Sequence, residues 1–322
     1  MVETVPDPTP GDGQIVVRVS HCGICGSDLH MTEDPAFGCP PGSVLGHEYS
    51  GDVVAVGHNV QRVRLGDRVS VMPLHGCWRC PSCVAGEPAW CTQMRIEGGG
   101  YGEYSLAHEA QCLRLPRVLT LGDAALIEPL AVGLHGVTIA QLTPGARVLV
   151  IGAGPIGLAT VFWARRLGAG HVAVTASSNR RESLAYTLGA TAFVDPADSS
   201  IDAVHRALGA LPDFVFECVG KPGLLTRSIE YVRPRGTVVV LGLCTAVDSL
   251  VPFALVAKEV RVQPAAFYSM RDFEICSDAL AANSEVPRAM ITETVSLDAL
   301  PNAFEALRQR NQQCKVMVRP GT

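Results

Sequence analysis

Charge is scarce in this 322-residue chain: Asp, Glu, Lys and Arg supply 18% of it against 48% hydrophobic residues. A composition so apolar excludes disorder as the dominant state. Basic clusters are also lacking, and the net charge is -5. A phosphate-neutralising surface would leave a chain basic, so no nucleic-acid partner is expected. Long apolar runs are missing too. The uncharged stretch from Val148 to Ala164 is interrupted by glycines and a proline. A bilayer span takes about 20 apolar residues, so no membrane association is expected. The opening segment, Met1 to Pro6, has neither a basic start nor an apolar core. It therefore reads as lacking a secretory signal, and a cytoplasmic, reducing location is expected.

What the chain has in quantity is length, cysteine and glycine. Its length exceeds the usual ceiling for one hydrophobic core and predicts two domains of roughly 130 to 190 residues. The first hundred residues are rich in turns, with short apolar strands at 14–19, 50–56 and 67–72. They read as irregular β structure. A helical stretch from Leu121 to Gln141 follows, and then apolar strands at 147–151, 171–176, 191–194, 213–217 and 237–241. Helices are expected between them at 156–167, 180–188 and 223–231. Near-continuous apolar strands alternating with helices predict a doubly wound α/β domain around a parallel sheet. From about residue 266 the pattern is mixed, ending in a helix over 297–310 and a strand over 315–318.

Twelve cysteines in a reducing compartment point to metal or catalysis before disulfides. Cys77, Cys80, Cys83 and Cys91 are separated by two, two and seven residues, in a segment that also holds Pro81, Gly86 and Pro88. Short spacers let four thiolates converge on one ion, which predicts a closed, structural Zn2+ site. An iron-sulfur cluster is the alternative. A second site is suggested by Cys25 and by Gly46-His47-Glu48, because a catalytic zinc takes about three protein ligands and keeps a position open. Cys22, Cys39, Cys112, Cys218, Cys244, Cys276 and Cys314 are left as small buried hydrophobes.

Gly152-Ala153-Gly154-Pro155-Ile156-Gly157 joins an apolar strand to a helix. The first glycine permits the tight turn, the second lets the backbone approach a pyrophosphate, and the third allows close helix-strand packing. The helix start then meets the negative charge. An NAD site would end the next strand in Asp or Glu, to accept the ribose 2'-hydroxyl. Here Ala176 stands there, followed by Ser177, Ser178, Asn179, Arg180 and Arg181. Hydroxyls and guanidinium groups suit a 2'-phosphate, so NADP(H) is expected over NAD(H).

These motifs occur in a specific order: GICGSDLH at 23–30, GHE at 46–48, the four-cysteine lobe, IEPLAVGLH at 127–135, GAGPIG at 152–157 and KVMV at 315–318. In that order the chain resembles the zinc-dependent medium-chain alcohol and polyol dehydrogenases, nearest their sorbitol dehydrogenase (ketose reductase) branch. The resemblance implies a GroES-like catalytic domain over 1–129 and 266–322, with a Rossmann cofactor domain over 130–265 inserted between its parts. It implies that Cys25, His47 and Glu48 ligate a catalytic zinc, with Asp28 orienting His47. Glu128 stands where alcohol dehydrogenases proper carry a third ligand cysteine, so the third ligand is either Glu48 or Glu128. Ser27 and His30 have the spacing of the family's proton relay, and Lys315 resembles a basic residue that approaches the pyrophosphate. The resemblance further implies a homodimer or homotetramer and an N-terminus shorter than usual. The expected activity is hydride transfer between NADP(H) and a secondary alcohol or polyol, or its ketone. Alternatives are an amino alcohol or cyclitol with NAD(H), or a non-catalytic NADP(H)-binding protein.

Overall fold

The computed structural model describes residues 2–33, 40, 42–309 and 312–321; Cys39 and Arg310 lie outside the described residues. The chain forms two compact units, Met1–Ala131 with Tyr268–Thr322, and Val132–Phe267.

Among the described residues, seven strands open the first unit: β1 (Gln14–Gly23), β2 (Glu48–Val56), β3 (Arg68–Val71), β4 (Leu74–His75), β5 (Arg95–Ile96), β6 (Tyr104–His108) and β7 (Cys112–Arg114). Six build the second: β8 (Arg147–Ile151), β9 (His171–Thr175), β10 (Ala192–Phe193), β11 (Phe214–Glu217), β12 (Thr237–Val240) and β13 (Arg261–Pro264). The tail then supplies β14 (Ile291–Ser296) and β15 (Lys315–Arg319).

In the first unit, Ile15, Val17 and Val19 recur at every second position of β1, so they share one sheet face. They join Val53, Val69, Val71, Val316 and Val318 in a single apolar cluster. The sheet runs β14-β15-β1-β2-β3-β7, with β6 also paired to β1. Gly23 of β1 lies opposite Glu48 on one side and Met317 on the other. A Cβ there would come within 2.1 Å of a Glu48 carboxylate oxygen, so only glycine leaves that carboxylate its place.

The second unit is one parallel sheet in the order β10-β9-β8-β11-β12-β13. That order reverses direction between β8 and β11, the doubly wound arrangement in which ligands bind beyond the strand ends at the reversal. Leu149, Ala173, Val215 and Val238 are wholly buried within it, which is why these strands lack polar alternation.

Several elements differ from the sequence expectation. The helical stretch from Leu121 divides into Leu121–Ala124 and Ile127–Ile139. Thr120 caps the first of these by accepting the Asp123 N–H, and the residues between the two leave the α pattern. The mixed tail contains helices Met270–Ala282 and Glu285–Arg288 before β14, and its last helix is shorter than expected, Leu300–Arg308. Three consecutive exposed residues interrupt β14, an edge strand, so it has no apolar alternation to detect. Cys244 is exposed, which corrects its reading as a buried hydrophobe; Cys22, Cys276 and Cys314 are buried, with Cys112 and Cys218 in between.

Candidate functional site

The helix Gly26–Met31 follows β1 directly, and its start is fixed from within: the Cys25 N–H donates to Asp28 Oδ2 at 3.1 Å. That bond satisfies one of the unpaired donors at a helix N-terminus and holds Cys25 at the N-cap. His47 and Glu48 arrive at the start of β2. Their donor atoms and the Cys25 Sγ lie within 4.8 Å of one another.

The Nδ1 of His47 is bonded to Asp28 Oδ1 at 3.1 Å, which leaves Nε2 as the nitrogen able to ligate a metal. Burial disfavours the His47 cation, but the charge and hydrogen bond of Asp28, together with Cys25, outweigh it and raise the histidine pKa well above its usual value. One thiol, one imidazole and one carboxylate form an open donor set that fits a catalytic Zn2+. Ser27 donates its hydroxyl to Cys25 Sγ at 3.2 Å, and His30 is exposed to solvent.

Glu128 falls outside that three-donor group. Its Oε1 accepts the Tyr268 hydroxyl at 2.8 Å, and burial pushes its pKa up to about 7. Lys315 requires a correction. Instead of facing a pyrophosphate, its ammonium is buried in the first unit, 2.7 and 2.6 Å from the two Glu48 oxygens and 3.0 Å from the Ile24 carbonyl. Those acceptors take all three of its N–H donors. The physical reason is the sheet register, which carries β15 alongside β1 and delivers Lys315 beside the start of β2.

Neither Tyr101 nor Tyr268 has a motif to announce it, and both contact the site. Tyr101 donates to Asp28, 73 positions away, and Tyr268 to Glu128, 140 positions away. The only local hint is the run Gly98-Gly99-Gly100 before Tyr101, which marks a tightly folded loop.

The sulfurs of Cys77, Cys80, Cys83 and Cys91 also lie within 4.8 Å of one another. Backbone N–H groups of Cys77 and Gln93 each donate to Cys91 Sγ at 3.3 Å. The N–H groups of Arg79 and Cys80 pull the Cys77 thiol down to about 6, whereas burial pushes Cys83 up to about 12. Four sulfurs converging from so short a segment fit a closed tetrahedral Zn2+ site.

In the second unit the glycine turn leads from β8 into the helix Pro155–Arg166. Gly152 has φ +106°, and a Cβ on Gly157 would meet the Gly152 carbonyl oxygen at 1.9 Å. Above Gly154, the N-cap, there is open space. Pro155 and Ile156 occupy the first turn, so the backbone forms a cradle that fits a dinucleotide pyrophosphate. Beyond β9, Ser177 and Arg180 are exposed, while Arg181 precedes the helix Glu182–Thr187 and donates to the Ala153 carbonyl at 3.2 Å.

Comparison with known proteins identifies the family. Residues 11–117 match the alcohol dehydrogenase GroES-like domain, and residues 155–282 match the zinc-binding dehydrogenase family. The chain is 30% identical to sorbitol dehydrogenase of Bacillus subtilis over 99% of its own length and 94% of that protein. It is 36% identical to L-galactonate-5-dehydrogenase of Escherichia coli over 73% of its length and 71% of the relative. A crystal structure from Sinorhizobium meliloti, described as a zinc-binding dehydrogenase bound to NADP, superposes with a TM-score of 0.89. It shares 34% identity, covering 98% of this chain and 94% of that one. The chain therefore belongs to the zinc-dependent medium-chain polyol dehydrogenase family and is an oxidoreductase of the alcohol and polyol dehydrogenase class.

Proposed function

We propose that this protein transfers a hydride reversibly between NADP(H) and a secondary alcohol of a polyhydroxylated substrate, or the corresponding ketone. The observation that carries the reading is the convergence of Cys25, His47 and Glu48 within 4.8 Å, with Asp28 behind His47. Bound there, Zn2+ supplies a Lewis acid for the substrate oxygen, and the nicotinamide supplies the hydride carrier.

The chain's own residues do the rest. Cys25, His47 and Glu48 hold the metal, and Asp28 fixes the His47 ring so that Nε2 stays directed at it. In the oxidation direction the Ser27 hydroxyl takes the substrate proton and hands it toward His30, whose exposed ring passes it to water. Cys77, Cys80, Cys83 and Cys91 hold a second, structural Zn2+. The turn from Gly152 to Gly157 seats the pyrophosphate. Ser177, Arg180 and Arg181 receive the 2'-phosphate, since Ala176 leaves no carboxylate to repel it. The names of the relatives, a sorbitol and a galactonate dehydrogenase, support a secondary hydroxyl on a sugar-derived chain as the reacting group.

The test is steady-state kinetics with NADP and NAD across polyols, sugar acids, simple secondary alcohols, amino alcohols and cyclitols. A kcat/KM for NADP at least about tenfold above that for NAD, reversed by Ala176→Asp, is expected from the lost or gained charge contacts. A clear preference of the wild type for NAD would refute the cofactor assignment.

A further inference from the structure

Asp28 is wholly buried, and three different segments converge on its carboxylate. Oδ1 is bonded to His47 Nδ1 at 3.1 Å. Oδ2 accepts the Cys25 N–H at 3.1 Å and the Tyr101 hydroxyl at 2.5 Å. Tyr101 is itself buried at 7% exposure, in the loop before β6.

That loop is tied to the segment leading into His47 residue by residue. Gly99 N–H donates to the Val44 carbonyl at 2.9 Å, Gly100 N–H to Gly46 at 2.8 Å, and Tyr101 N–H to Leu45 at 3.0 Å. The phenol and the imidazole are thus carried on two strips of backbone pinned together, and they approach Asp28 from different segments. The Cys25 N–H belongs to the same helical turn as Asp28, so it is the Tyr101 hydroxyl that ties Oδ2 to a separate segment while His47 holds Oδ1, and these two anchors together hold the carboxylate plane.

We propose that Tyr101 is a positioning residue of the metal site: its hydroxyl fixes the Asp28 carboxylate, which in turn fixes the His47 ring that ligates zinc. The inference rests on the assignment of Cys25, His47 and Glu48 as ligands. Outer partners of ligating histidines typically affect metal affinity by about 10- to 100-fold, so the loss of the Tyr101 hydroxyl reads out as weaker zinc binding.

The experiment is zinc release from the holoprotein to a competing chelator. The Cys25→Ser variant identifies which of two zinc classes belongs to the three-donor site. If C25S retains both zinc ions with unchanged affinity, the ligand assignment itself fails, whatever Tyr101 does. With that class identified, Tyr101→Phe is expected to raise its Kd about 10- to 100-fold and to leave the four-cysteine class unchanged. Tyr49→Phe serves as the control, because Tyr49 is an equally buried tyrosine whose hydroxyl accepts from Ser105 instead. It is expected to change neither class.

Asp28→Asn closes a double-mutant cycle. Adding Y101F to D28N is expected to cost little further affinity, since the phenol acts through the carboxylate. The proposal is overturned if Y101F leaves the three-donor class within about twofold of wild type, or adds its full effect on top of D28N. It is overturned equally if Y101F loosens both zinc classes alike, which would mark general destabilisation.

Discussion

Ser27 lies two residues after a proposed ligand and three before His30, on a helix of six residues, Gly26–Met31. Its hydroxyl touches the Cys25 sulfur, while the His30 ring stands in solvent, so the pair spans the distance from metal site to water. Ser27→Ala is therefore expected to lower kcat by about 10²- to 10⁴-fold, the usual worth of a positioned proton-transfer group. Cofactor affinity, measured by fluorescence titration, should not change. Unchanged turnover would remove Ser27 from the mechanism. At this same scale the sequence was partly informative. Cys25, His47 and Glu48, which the structure brings within 4.8 Å of one another, stand out because metal ligands must come as particular residue types. Lys315 misleads, since a lysine near a strand start has the same local sequence whether it faces a phosphate or a buried carboxylate. Its partner, Glu48, is 267 positions away, and only the β15-β1-β2 register shows the pairing.

At the scale of elements, the short helices Leu121–Ala124 and Glu285–Arg288 are joined by one clamp. Arg288 Nε and Nη2 donate to the two oxygens of Asp123 at 2.7 and 2.6 Å, and Thr120 donates to Asp123 Oδ2 at 2.7 Å. Burial alone would raise the Asp123 pKa, but these donors outweigh it and hold it below the usual carboxylate range. A carboxylate depressed in the folded state stabilises the protein at pH above its unfolded pKa, about 3.9. That stability is lost as pH falls through the folded value. Asp123→Asn is expected to cost about 1–2 kcal/mol at neutral pH, a moderate figure because the Arg288 side chain is half exposed. The difference in Tm between variant and wild type should shrink as the pH is lowered past about 4, and a difference independent of pH would count against the clamp. Strong elements such as β8 and the helix Pro155–Arg166 were evident from apolar runs, glycine spacing and a proline at the helix start. Helices of four residues and an exposed edge strand such as β14 carry no periodicity long enough to read.

On the scale of the whole molecule, each unit has its own apolar cluster. All the proposed metal donors lie in Met1–Ala131, whereas Gly152, Gly154, Gly157, Ser177, Arg180 and Arg181 lie in Val132–Phe267. Chelation of zinc is therefore expected to abolish turnover and lower the thermal stability of the first unit, while NADP(H) still binds with its affinity little changed. Fluorescence titration of the cofactor before and after chelation checks this, and loss of binding on chelation would contradict it. Chain length alone predicts two domains, whereas the inserted arrangement of the second comes only from the family resemblance. The contact between β15 and the early strands has no local sequence signal.

The place of β15 beside β1 governs the order in which this protein takes shape during synthesis. A ribosome releases β1 and β2 early, yet Val316 and Val318, which complete their apolar cluster, emerge roughly 260 to 300 residues later with the lysine that neutralises Glu48. The contiguous unit Val132–Phe267 has every strand of its sheet before the tail is made. It can mature on the ribosome before β15 and Lys315 join the first unit.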